Sequence, residues 1–148
     1  MTTQWMAQAM EKARQAALCG EVPVGAVVVR QDNCVASAHN APISQGVPTA
    51  HAEILALNAA AQAIGNYRLL GAVLYVTLEP CLMCYGAMVH ARIDRCYYAT
   101  PDPKSGVVST GLLDQVERVV NHRVECILGS HTQEASDLLR HFFQQRRG

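Results

Sequence analysis

Two short segments carry residue types that bind metals and move protons: His51-Ala52-Glu53, and Glu79-Pro80-Cys81-Leu82-Met83-Cys84. On a helix, residues three apart lie one turn apart on the same face, so the sulfurs of Cys81 and Cys84 can reach a single ion. One imidazole nitrogen and two thiolates form a three-ligand tetrahedral set that leaves a fourth position for water. Soft sulfur donors favour zinc over magnesium or calcium, and the expectation is one Zn2+ per subunit held by His51, Cys81 and Cys84. At helix starts, unpaired N–H groups and the positive dipole end favour the thiolate form before metal arrives. Glu53, two residues after His51, can face the same water from the first helical turn. It is the expected proton shuttle, accepting a proton as water becomes hydroxide and delivering protons to a substrate nitrogen and a leaving group. Its structural alternative is a negative charge that steadies the helix N-terminus. A lone C-x-x-C also serves thiol exchange and structural fingers. The H-A-E about thirty residues upstream, also at an expected helix start, gives the pair its specificity.

The elements that must position these groups follow from periodicity. Residues 4–18 repeat apolar and small side chains at helical spacing (Trp5, Met6, Ala9, Met10, Ala13, Ala17), with Gly20 as the stop. Val24–Val29 and Cys34–Ala38, interrupted by Gln31, Asp32 and Asn33, predict an antiparallel hairpin. Asn40–Pro48 reads as a loop, because Pro42, Gly46 and Pro48 break helix and strand alike. It delivers Thr49 or Ala50 to a helix that runs to about Ile64. Ala72–Leu78 is a buried strand followed at once by a helix from Pro80 to about Ala91. Ile93–Ala99 is strand-like, Thr100–Thr110 is a loop, Gly111–Val120 is a short helix or irregular piece, and Val124–Leu128 is a further strand. Ala135, Leu138, Leu139, Phe142 and Phe143 form the buried stripe of a last helix. This order predicts a mixed five-stranded sheet with helices on both faces.

The 148 residues fall in the range of one domain, residues 1–148, and half are hydrophobic, which excludes a disordered chain. Lys plus Arg and Asp plus Glu number 12 each, so no global positive field exists to attract a polyanion. Any such ligand must meet a local patch. The best one is the tail, where Arg140, Arg146 and Arg147 occur without an acidic residue, with Lys104, Arg92 and Arg95 as further candidates. Its plain alternative is a solubilising surface. The N-terminus lacks the apolar core of a signal peptide and no run approaches 18 apolar residues, so the expectation is a cytoplasmic protein with no membrane partner. Cys19, Cys34, Cys96 and Cys126 read as small buried hydrophobes.

The H-x-E and P-C-x-x-C elements are the established signature of the zinc nucleobase deaminases, a match rather than a deduction from spacing. The sequence resembles the bacterial tRNA-specific adenosine deaminases within the zinc-dependent cytidine and deoxycytidylate deaminase superfamily. The resemblance extends through EVPVGAVVV (Glu21–Val29), Asn40, PTAHAEILAL (Pro48–Leu57), NYRL (Asn66–Leu69), LYVTLEPCLMCYGAMVHARI (Leu74–Ile93), NHRVE (Asn121–Glu125) and the terminal FF..RR. It implies a three-layer α/β/α, cytidine deaminase-like fold with zinc on His51, Cys81 and Cys84 and Glu53 as proton shuttle. It also implies that Asn40 contacts the sugar or base of a flipped nucleotide and that Asp102, followed by Pro103 and Lys104, contacts its backbone. Phe143 would border the anticodon loop, and Arg146 and Arg147 would meet its phosphates. The implied reaction is hydrolysis of adenosine to inosine at the wobble position (34) of tRNA, arginine tRNA in particular, by a homodimer that binds the anticodon stem-loop. Thr100 and Pro101 stand where the family pattern has alanine and arginine, and Tyr85 where it has a small residue.

Three other readings share some of these residues. A deaminase of a free nucleobase or nucleoside (cytidine, cytosine or guanine) would keep the zinc set without needing a basic tail. A non-catalytic zinc-containing RNA-binding protein would leave Glu53 without work, and a thiol–disulfide exchanger would leave both His51 and Glu53 idle. His39 and His90 read as packed or solvated side chains, and His122 and Arg123 as supports for the last strand.

Overall fold

The computed structural model describes residues 2–147. Its elements, in chain order, are α1 (Thr2–Leu18), β1 (Gly25–Arg30), β2 (Asn33–His39), α2 (Pro42–Gln45), α3 (Ala52–Ile64), β3 (Val73–Leu78), α4 (Leu82–Ala91), β4 (Arg95–Thr100), α5 (Leu112–Val116), β5 (Glu125–Leu128) and α6 (Thr132–Arg147). The sheet order is β2-β1-β3-β4-β5. β1 pairs antiparallel with β2 and β3, whereas β3–β4 and β4–β5 are parallel. This is the expected mixed five-stranded sheet.

Strand alternation divides the interior into two cores. Ala26, Val28, Leu74, Val76, Cys96 and Tyr98 face α3 and α4, with Ala56, Ala60, Met88 and Ile93 packed against them. Val27, Val29, Tyr75 and Ala99 face the other way, onto Met6, Ala9 and Met10 of α1 and Ala135 of α6. The result is three layers. Gly25 permits α1 to lie directly on β1, because a Cβ there would stand 2.0 Å from the Ala9 carbonyl oxygen. The hairpin turns at Gln31 and Asp32, both at positive φ as a two-residue primed turn requires.

The structure corrects several boundaries. Asn40–Pro48 contains the one-turn helix α2, with Pro42 in its first turn, where a missing N–H costs nothing, and Gly46 in the left-handed region at its end. α3 starts at Ala52 rather than Thr49 or Ala50, and α4 at Leu82 rather than Pro80, because His51 and Cys81 are the caps. β4 begins at Arg95, after Arg92 closes α4 in a left-handed conformation, and the irregular stretch 111–120 contains only the short α5.

Strand directions determine where the site lies. The register sets Gly25 beside His39 and Ala26 beside Val76, and the parallel pair carries Leu78 and Thr100 out at the same level. The segments 22–24, 39–42, 78–81 and 100–105 therefore converge at one end of the sheet, at the starts of α3 and α4.

Candidate active site

His51 and Cys81 occupy the N-cap positions with extended backbones, ψ 152° and 176°, and neither side chain makes a capping hydrogen bond. Ser, Thr, Asp or Asn would normally cap there. Both side chains instead turn toward a common point, which Cys84 reaches from one turn further along α4. His51 Nδ1 lies 3.7 Å from Cys81 Sγ and 3.4 Å from Cys84 Sγ. The three ligand atoms all fall within 4.8 Å of one another. Zn–N and Zn–S bonds of ordinary length at a tetrahedral angle require N···S edges of about 3.6 Å. The donor set thus fits zinc in spacing and in kind.

The charges fit as well. The Cys84 thiol hydrogen-bonds Cys81, which, with nearby helix amides and His51, brings the Cys81 thiol down to about 5, whereas Cys84, hydrogen-bonded to Cys81 and buried beside Glu53, is pushed up. The pair on its own holds one thiolate and one thiol, so a divalent cation would release a second proton.

Glu53 sits in the first turn of α3, only 4% exposed. Burial foremost, with the neighbouring Cys81 charge, pushes its carboxyl up to about 7, although its own backbone amide, His51 and Cys84 pull the other way. Such a group can hold or release a proton near neutral pH.

Above these groups lies a cavity of about 350 Å³ lined by Asn40, His51, Glu53, Cys81, Asp102 and Ser105, among others. Asn40 is 9% exposed, and its Oδ1 accepts a 2.7 Å bond from the Ala52 amide. That bond orients the residue and leaves its Nδ2 group as the part able to serve a ligand. Asp102 is half-buried and accepts the Lys104 and Ser105 amides on Oδ1.

Two further cavities flank this one. The first, about 310 Å³, is walled by Val22, Pro42, Ile43, Phe142, Phe143 and Arg146. The second, about 380 Å³, includes Asp102, Lys104, Leu139 and Phe143. α6 thereby brings Phe143 and Arg146 to the rim, with the Arg146 guanidinium 4.7 Å above the Phe142 ring and bonded to the Gly20 carbonyl. Arg147 is exposed on α6 and lines none of the three.

Arg92 and Arg95 do not belong to this region. They precede or begin β4, whose far end carries the site, and Arg92 is bound to Asn121. A six-residue strand separates them from the cavity by about 17 Å. Of the other histidines, His90 is exposed on α4, and His122 bonds the Ile93 carbonyl. Arg123 pairs with Glu117. Cys96 is buried as expected, but Cys19 and Cys34 are exposed. Tyr85 is buried, and its hydroxyl receives the Val124 amide.

Sequence reasoning missed two buried carboxylates beside the cavity. Glu21 accepts bonds from the Ile43 amide and from the Ser44 amide and hydroxyl, at 3.3, 2.6 and 2.6 Å. Glu79, two residues before Cys81, takes amides from the loop after β4. In the sequence Glu79 stands in the motif that carries the two cysteines, without a role of its own, and Glu21 shows only as an acidic residue beside an apolar strand segment.

The family described as MafB19-like deaminase matches residues 2–147. The chain is 45% identical over 143 residues to the tRNA-specific adenosine deaminase of Haemophilus influenzae, covering 96% of this chain and 83% of that one. With the Bacillus subtilis protein of the same name it shares 40% over 143 residues, 97% and 89% of the two chains. A solved structure from work on A-to-I editing by tRNA:A34 deaminases superposes with a TM-score of 0.88 at 40% identity, covering 93% of this chain and 99% of that one. A guanine deaminase from Nitrosomonas europaea reaches 0.79 at 23% identity over 93% and 82% of the two chains, a likeness of fold alone.

Proposed function

The chain belongs to the tRNA-specific adenosine deaminases of the MafB19-like deaminase family, and from that premise we propose that it converts the wobble adenosine of a tRNA, arginine tRNA in particular, to inosine. The observation that carries the chemistry is a buried carboxyl poised near neutrality beside a three-donor site with an open position, at the bottom of a cavity large enough for a base. His51, Cys81 and Cys84 would hold one zinc ion. When bound, zinc supplies a Lewis acid that lets water lose a proton near neutral pH.

Glu53 does the proton work. It takes a proton from the attacking water and passes it to N1 of the purine as oxygen adds to C6. The same carboxyl moves the remaining proton of the added oxygen to the exocyclic nitrogen, so that ammonia leaves as the C6–N bond breaks and C6 becomes the carbonyl of inosine. Asn40 holds the base or sugar through its free Nδ2 group, and Asp102 receives the backbone of the flipped nucleotide. Lys104, Phe143, Arg146 and Arg147 meet the anticodon stem-loop around it. A loop nucleotide is easier to extract than one stacked in a duplex, which favours this presentation.

The same reading includes a homodimer. The small side chains of Ala59, Ala60, Ala61 and Ala63 are the ones expected to allow a close helix approach; Ala59 and Ala63 are exposed on α3 and Ala61 is half-buried, whereas Ala60 belongs to the core and takes no part. Sedimentation of a species near twice the chain mass supports it, and a fully active monomer rejects it.

Steady-state competition among an adenosine-bearing anticodon stem-loop, free adenosine, cytidine and guanine tests the substrate. Inosine formation in the stem-loop, preferred over free nucleosides by orders of magnitude, is expected. Turnover of a free base or nucleoside with no inosine in the stem-loop would replace this reading with the free-substrate one.

A further inference from the structure

Glu79 is 3% exposed, and its carboxylate makes four hydrogen bonds to a single loop. Oε1 accepts the Asp102 amide at 2.9 Å and the Ser109 hydroxyl; Oε2 accepts the Val108 and Ser109 amides at 2.7 and 2.8 Å. The backbone on either side joins the same segment: the Glu79 amide donates to Thr100 O at 2.9 Å, and the Val107 amide to Pro80 O at 3.1 Å. Gly106 completes the arrangement, because a Cβ there would stand 2.1 Å from the Glu79 carboxyl carbon. Only a residue without a side chain lets the loop backbone close over the carboxylate.

Two properties of this arrangement set it apart from ordinary loop packing. A buried carboxylate surrounded by amide donors is costly to disturb, since each donor it leaves behind is stranded away from water. Glu79 is also two residues from Cys81, so it ties the metal-ligating turn to the loop that carries Asp102, Lys104 and Ser105. We propose that Glu79 is a positioning residue that clamps the loop 101–109 to the start of α4 and sets the distance between the metal-site floor and the substrate-facing wall. Glu79 itself borders the cavity, but both of its carboxylate oxygens are engaged by the loop donors, so its part is to position and not to bind. Its expected contribution is to the placement of the nucleotide.

The substrate arm of its test rests on the RNA-deaminase reading; the exchange arm does not. In the zinc-loaded protein, Glu79→Gln keeps the side-chain volume but turns one acceptor oxygen into a donor facing N–H groups. Amide hydrogen exchange should show protection at Asp102, Val108 and Ser109 falling at least about tenfold, while β3 and β4 amides keep theirs, as expected for local opening. Zinc per chain should stay unchanged. KM for an adenosine-bearing stem-loop should rise by about tenfold or more, with a smaller change in kcat, because a misplaced wall weakens binding before it alters proton transfer. Gly106→Ala, which displaces the same carboxylate from the other side, should reproduce the pattern. Ser109→Ala, which removes one exposed donor, should give a weaker version and decides the matter if Glu79→Gln does not fold. Unchanged protection in Glu79→Gln, or protection and KM lost only together with zinc, overturns the clamp. If the parent itself makes no inosine in the stem-loop, the RNA reading fails while the exchange result still judges the clamp.

Discussion

The floor and the rim of the cavity are built in opposite ways. His51, Glu53, Cys81 and Cys84 come from the first turns of two adjacent helices, each fixed by residues within a few positions of it, and Glu53 and Cys84 are buried. Asp102, Lys104, Phe143 and Arg146 come from a loop and the last helix, are half-buried or exposed, and meet only because the sheet brings distant segments to one end. The floor holds charge in a low dielectric, where small displacements change proton affinity by whole units. The rim meets solvent, where charges are screened and each contact is worth little alone. Chemistry should therefore be lost stepwise at the floor, and recognition should decline gradually at the rim.

The sharpest way to break this contrast is at Cys84. Cys84→Ala removes a proposed zinc ligand from the buried side of the site, and elemental analysis should find zinc falling from near one per chain to near zero, with deamination abolished and the thermal midpoint lowered. Full metal content and activity in this variant would deny that the floor is a metal site. Glu53→Gln separates the metal from the proton work: zinc should remain, RNA binding should stay near the parent level, and kcat should fall by at least about 100-fold. Equal turnover would remove Glu53 from the mechanism, and loss of zinc would make it a support of the metal centre.

Much of the floor was legible in the sequence because its residues announce themselves by type and spacing. What was misread there has a physical reason. The expected helix starts, Thr49 or Ala50 and Pro80, lie two or three residues early because His51 and Cys81 are poor caps, and their side chains serve the site instead of the helix. The three-layer arrangement followed from alternation in β1, β3 and β4, but α2 did not, since Pro42 and Gly46 read as breakers when one begins a turn and the other ends it. Glu21 and Glu79 were invisible as loop clamps, because their partners are mainly backbone amides, which carry no residue code. The Arg92 and Arg95 patch failed for a related reason: charge can be counted along a chain, but the end of a strand at which it lies cannot.

A smaller effect is expected at Glu21, which holds the α2 wall as a carboxylate. Burial raises its proton affinity, but the Ser44 side chain and the Ser44 and Ile43 amides outweigh that and leave it below the ordinary 4.5. A depressed folded-state pKa contributes stability that is present above the unfolded value and is lost as pH falls through the folded one. Glu21→Gln should therefore lower stability by about 1–3 kcal/mol at neutral pH, the scale of donors left unpaired. Its deficit relative to the parent should shrink in urea titrations as pH drops below 4.5. A deficit that grows in acid would mean that Glu21 folds in its protonated form.

The least severe change, and the one that probes the rim most directly, is at the end of α6. Arg146 and Arg147 are neighbours in sequence but differ in surroundings: Arg146 stacks on Phe142, bonds the Gly20 carbonyl and walls a cavity, whereas Arg147 is exposed and lines none of the three cavities at the site. If each neutralises one phosphate, replacing both by Ala should lower the salt slope of stem-loop binding by up to about 2, and Arg147→Ala alone by about 1. Arg147→Ala should weaken binding at low salt and leave kcat, zinc and the thermal midpoint unchanged, since its side chain is exposed. Arg146→Ala should add a loss that salt does not remove, because the Phe142 ring and the Gly20 carbonyl lose a packed partner along with the charge. Equal salt slopes and equal affinities in the parent and both variants would confine recognition to the loop that Glu79 holds.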